Sequence, residues 1–106
     1  MDDEYLQVFT TTEKKIEAEA IARILLEKRL AGCVQIVGPI LSRYRWKGEI
    51  ETAEEWLCLI KTKKNLYQEM EKEIKKVHKY ETPEVIALSI TSGSIDYLGW
   101  LGKELK

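Results

Sequence analysis

One histidine, two cysteines and a run of carboxylates are the side chains on which chemistry could turn in this sequence: His78, Cys33 and Cys58, and Glu49, Glu51, Glu54 and Glu55. An imidazole can ligate a metal or carry a proton near neutral pH. His78 also stands where a helical stretch ends, beside Lys79 and Tyr80, and its plainer role there is a cation set against the helix dipole. No HxxxH, HExxH or paired Cys/His spacing accompanies it, so a metal held at His78 must draw its other ligands from distant positions or from a second chain. Cys33 and Cys58 sit in apolar strand-like runs without CxxC spacing and read as reduced, buried core thiols. On the outer part of a hairpin the four glutamates read as a solvated face, or as partners of Arg43 and Arg45 across the turn, ahead of any acid–base role. TSGS, Thr91 to Ser94, meets a helix start that could hold a small anion, but as a cap it needs no ligand. With no GxSxG serine and no GxGxxG or Walker pattern, no residue is assigned a catalytic role and an enzyme is not expected.

These residues need elements to place them. Tyr5 to Thr10 reads as a first strand, and TTTE, Thr10 to Glu13, matches a capping box opening a helix. Ile16, Ala20, Ile21, Ile24 and Leu25 make the apolar stripe of that helix, which Ala31-Gly32 closes. A second strand begins with Cys33 to Val37, is interrupted at Gly38-Pro39, and continues from Ile40 to Trp46. After a Lys47-Gly48 turn, a third strand climbs through Ile50 into WLCLI, Trp56 to Ile60. That run is apolar on both faces and must be covered on both. Asn65 and Gln68 form a second capping pattern, and Leu66, Met70, Ile74 and Val77 make the inward stripe of a second helix, with Glu71 and Lys75 paired on its surface. His78 to Glu84 is a loop, Val85 to Ile90 a fourth strand, and Gly93 to Asp96 caps a short last helix with Leu98, Leu101 and Leu105 inward.

This order predicts an α+β, ferredoxin-like β-α-β-β-α-β sandwich with a long middle hairpin and a short C-terminal helix, a single domain over residues 1–106. Two helices cover one face of a four-stranded sheet, and strands of about ten residues outrun the usual ~5–6. Tyr44 and Trp46 alternate with Arg43, Arg45 and Lys47, so one hairpin face is aromatic and the other cationic. Something beyond these helices has to cover the aromatic face, and a neighbouring copy is the simplest candidate. A net charge of −1 gives no basic excess for a phosphate backbone, so nucleic acid is not an expected partner. No run approaches the ~20 apolar residues of a membrane span, and the acidic start lacks the features of a signal peptide, so a cytoplasmic protein is expected. An acyl-phosphate hydrolase on this fold would need an arginine-bearing phosphate loop after the first strand, and Thr10 to Lys14 supplies none.

Five stretches carry a resemblance: VFTTTE at Val8 to Glu13, AGCVQI at Ala31 to Ile36, YRWKGEIE at Tyr44 to Glu51, HKYETPEVIAL at His78 to Leu88 and DYLGWL at Asp96 to Leu101. In order and spacing the chain resembles the CutA divalent-cation tolerance proteins. The resemblance implies a cytosolic, non-enzymatic homotrimer involved in the response to metal ions, with no required cofactor. It implies ligand sites in clefts between subunits, as in PII signal-transduction proteins, with Tyr44, Trp46 and Tyr80 as walls. In copper-linked bacterial members the proposed ligands are a Cys at the end of the first strand and two adjacent histidines. Here those positions hold Thr10 and Val77-His78. Only His78 remains as an imidazole donor, with Glu84 as a candidate second ligand, which implies weak binding of Cu(II) or another divalent ion. The alternative is a PII-like small-molecule sensor or adaptor trimer whose intersubunit cleft takes a metabolite.

Overall fold

A computed structural model describes residues 4–106 of the chain. The acidic start at residues 1–3, on which the signal-peptide expectation rests, lies outside them. The elements are β1 (Tyr5–Thr12), α1 (Lys15–Glu27), β2 (Cys33–Trp46), β3 (Glu49–Lys63), a 3-10 turn at Lys64–Leu66, α2 (Tyr67–Val77), β4 (Ile86–Ile90) and α3 (Ile95–Glu104). The sheet is antiparallel with strand order β2-β3-β1-β4. This is the expected ferredoxin-like α+β architecture with a long hairpin and a C-terminal helix.

Strand alternation decides what faces the helices. Val8, Cys58 and Ile60 are fully buried and pack with Ala18, Ile21 and Leu25 of α1 and with Met70 and Ile74 of α2. On the other face Phe9, Leu57 and Leu59 are half-buried, whereas Val37, Ile86 and Leu88 are 46%, 49% and 56% exposed. The apolar run in β3 is therefore covered on one side only within a single chain. Helix α3 crosses the far end of the sheet, with Leu101 packed onto Gly32, Gly102 against the Tyr5 hydroxyl and Tyr97 beside Cys33.

Several local expectations change. Strand β1 runs two residues past Thr10, because Thr11 and Thr12 continue the ladder opposite Leu57 and Trp56. The helix start moves to Lys14, whose N–H donates to Glu17 at 3.2 Å, so the acidic partner is Glu17 and not Glu13. Ile16 leaves the inward stripe and is 70% exposed, being on the first turn before α1 reaches the sheet. The helix closes at Lys28, ahead of Ala31-Gly32: Arg29 turns left-handed (φ 57°), the Leu30 N–H donates to the Leu25 carbonyl at 2.9 Å, and the Arg29 N–H donates to Leu26 at 3.1 Å. This is the double backbone closure that usually recruits glycine. Arg29 holds the position because its guanidinium donates to the carbonyls of Lys103 (2.7 Å) and Glu104 (2.8 Å) at the end of α3. No side chain caps α2: its N-cap is Leu66, and Asn65 lies in the 3-10 turn. Val77, at the end of that helix, is 39% exposed, and the Glu71–Lys75 pair forms at 2.9 Å.

The hairpin explains an outline of 45 × 26 × 22 Å. Pairing of β1 with β3 ends at Thr12–Trp56, so Ile40 to Trp46 and Glu49 to Glu55 continue alone as a two-stranded ribbon. At its root the register slips between Val37 and Ile40, where a cis Gly38–Pro39 peptide lies against the Trp56 ring. At its tip Lys47 (φ 52°) and Gly48 (φ 84°) both take positive φ, the twist-matched two-residue turn.

Both cysteines are free thiols, as expected, but only Cys58 is buried; Cys33 is half-buried next to α3. Burial pushes the Cys58 thiol from 9.0 up to about 11. The unfolded chain therefore loses this proton at lower pH than the folded one, so the stability it contributes is complete below pH 9.0 and drains away as pH rises toward 11. Unfolding followed across that window should show stability falling with pH. A Cys58→Val variant should have a flatter slope there, and an unchanged slope would assign the alkaline loss to tyrosines alone.

Candidate functional site

The loop from His78 to Val85 folds back over the root of the hairpin and brings some of the side chains singled out in the sequence, Tyr80 and Glu84 with Tyr44, Trp46 and Glu55, to one place. Nε2 of His78 donates to the Thr11 carbonyl at 2.8 Å, and Nδ1 accepts from the Tyr80 N–H at 3.2 Å. A carbonyl can only accept and an N–H can only donate, so the proton sits on Nε2 and both ring nitrogens are engaged. The imidazole also packs on the Tyr80 ring, 5.0 Å between centroids. His78 thus clamps the loop to the end of β1.

Tyr80 in turn donates its hydroxyl to Oε2 of Glu55 at 2.7 Å. Glu55 is only 6% exposed, which corrects its placement on a solvated face. The signal was present in the sequence: Glu55 is in phase with Leu57 and Leu59, on the face of β3 that has to be covered. The proposed pairing of these glutamates with Arg43 and Arg45 does not form, since the register sets Arg43 opposite Thr52 and Arg45 opposite Ile50. Burial first, then the hydrogen bond and charge of Glu55, with smaller effects of Tyr44 and Glu13, push the Tyr80 phenol well above its ordinary value. It stays protonated and keeps donating throughout the neutral range.

Between loop and hairpin runs a groove of about 890 Å³. Tyr44, Trp46, Tyr80 and Glu84 all line it, as do Glu55, Lys79 and Glu81. His78 does not line it. Thr10 is buried on the helix side of β1 with its hydroxyl unpartnered among the described residues, whereas His78 reaches the carbonyl of Thr11. Among the described residues, no three His, Cys, Asp or Glu side chains converge as a metal site would require. No described helix is long and apolar enough to cross a membrane.

The fold and groove define a class, ferredoxin-like proteins whose middle hairpin outgrows its own sheet and encloses a cleft at its root. Residues 6–104 match the family model described as CutA1 divalent ion tolerance protein, and the chain belongs to this family. It is 40% identical over 94 residues to the divalent-cation tolerance protein CutA of Thermus thermophilus, covering 89% of this chain and 91% of that one. It is 43% identical over 93 residues to human protein CutA, 88% of this chain but 52% of the human protein, and so spans about half of that longer relative. Among solved structures, the Thermus thermophilus protein superposes with a TM-score of 0.94 at 37% identity, covering 96% of this chain and 99% of the other. A structure described as the periplasmic divalent cation tolerance protein CutA of Archaeoglobus fulgidus superposes with a TM-score of 0.93 at 37% identity, again covering 96% of this chain and 99% of the other.

Proposed function

We propose that this chain is a non-enzymatic, cytoplasmic homotrimer that takes part in the response to divalent metal ions and binds copper or a similar ion weakly. Family membership supports the metal role, since its relatives carry divalent-cation tolerance in their names. Weak binding follows from one observation, that both nitrogens of His78 are already engaged. An ion at His78 has to displace the Tyr80 N–H from Nδ1 and recruit Glu84 from the same loop, which sets a conformational cost against each metal bond. The same engagement argues against His78 as a general base, because its one lone pair is in use. Association is supported by the half-covered sheet face and by a ribbon that no element of its own chain backs, since an isolated two-stranded hairpin is marginal in water.

Titrating Cu(II) and Zn(II) by calorimetry into protein whose mass has been fixed by light scattering tests both parts. A mass of three times 12.3 kDa and a weak, saturable heat that disappears in His78→Ala are expected. Saturable heat unchanged in the variant would remove His78 from the site, and a monomer mass would remove the assembly.

The groove favours a second reading, a PII-like sensor or adaptor that takes a small molecule. At about 890 Å³ it lies within the range of small-molecule pockets, ~300–1,000 Å³, and it is lined by three aromatic rings.

A further inference from the structure

The groove has a polarity that follows from strand alternation. Trp46 pairs with Glu49, Tyr44 with Glu51 and Ile40 with Glu55, so Tyr44, Trp46 and these carboxylates lie on one face of the ribbon. Arg43 and Arg45 border the groove from intervening positions, whose side chains alternate to the opposite face. Lys79 is an exposed residue of the rim. Glu55, which also lines the groove, is nine-tenths buried, with the Tyr80 hydroxyl as its one hydrogen bond among the described side chains. None of the ion pairs formed by the described residues involves it. A carboxylate at that depth is poorly solvated and gains strongly from a counter-charge.

We propose that this groove binds a small organic cation, an alkylammonium or guanidinium compound, with its charge on Glu55 and its carbon skeleton against Tyr44, Trp46 and Tyr80. The inference rests on the sensor reading and names its ligand class. Aromatic faces attract such cations by their quadrupole, and the ribbon already does this on a small scale, with the Lys47 ammonium 5.6 Å from the centre of the Trp46 ring. At the rim the exposed Glu81 and Glu84 are offset by the exposed Lys79 and by Arg43 and Arg45, so the charge that sets the groove's preference is the buried Glu55, which an anion would meet unfavourably. A divalent ion would want several oxygens converging on one point, whereas the groove offers one buried carboxylate and aromatic walls.

The test is calorimetric titration of the full chain, at about 0.15 M salt to suppress loose surface attraction, with spermidine and agmatine as cationic probes and inorganic phosphate and AMP as anionic ones. Saturable binding of a cationic probe is expected, weakened about tenfold or more by Glu55→Gln, the loss of one charge-assisted contact. Glutamine keeps an acceptor for Tyr80, and equal melting temperatures would establish that the fold is intact. Trp46→Ala, at an exposed position, should weaken binding independently. Binding of a cationic probe that ignores both changes overturns the proposal. Saturable binding of an anionic probe alone overturns the cation assignment and leaves the sensor reading standing. If no probe of either class binds, both fall.

Discussion

Leu101→Ala is expected to cost about 2–5 kcal/mol of stability, read from urea unfolding. Leu101 is fully buried and belongs to the main core cluster, although it comes from the short last helix. Its Cδ1 occupies the space that a Cβ on Gly32 would need, so the glycine is there to admit the leucine. The pair should therefore be non-additive. Gly32→Ala alone forces Leu101 out of its place and destabilises by about 1–3 kcal/mol, but in the Leu101→Ala background the new methyl enters the vacated space and costs much less. Strict additivity would mean that the two residues do not share this space. Because Arg29 also ties the end of α3 to the end of α1, the helix should loosen in the variant without departing altogether.

Tyr80→Phe should lower stability by about 1–3 kcal/mol, the usual penalty for leaving a buried acceptor unpaired. The ring and its packing on His78 remain, so the loss isolates the hydroxyl that reaches Glu55 at 2.7 Å. Glu55→Leu made in addition should recover part of the loss, since an apolar side chain in phase with Leu57 and Leu59 no longer needs the phenol. A single variant within about 0.5 kcal/mol of the parent would show that water replaces the phenol at Glu55.

Element order and strand faces were legible because they rest on long periodic patterns. The alternation through Trp56 to Ile60 placed Cys58 and Ile60 correctly in the core, and the overlong hairpin was visible in the distance from Ile40 through the turn to Ile60. What could not be read depended on tertiary contacts. Arg29 has no local reason to turn left-handed; the reason lies in carbonyls at Lys103 and Glu104, far along the chain. The capping pattern at Thr10 to Glu13 gave way to ladder bonds available only once β3 was in place. At the site, Tyr44, Trp46, Tyr80 and Glu84 are singled out by the sequence and do line one groove, while Glu55 reads as solvated because a charge on the outer part of a hairpin suggests water, although its phase with Leu57 and Leu59 already points to the face that a distant loop covers.

The three tryptophans happen to stand at three separate places: Trp46 in the groove, Trp56 beneath the Gly38 bulge with the Lys15 ammonium 5.5 Å from its ring, and Trp100 on α3, 44% exposed beside Tyr97. Intrinsic fluorescence is consequently a mixed signal from cleft, hairpin root and outer surface. Variants that keep one indole at a time would separate it into three optical channels, with no foreign dye attached to the chain.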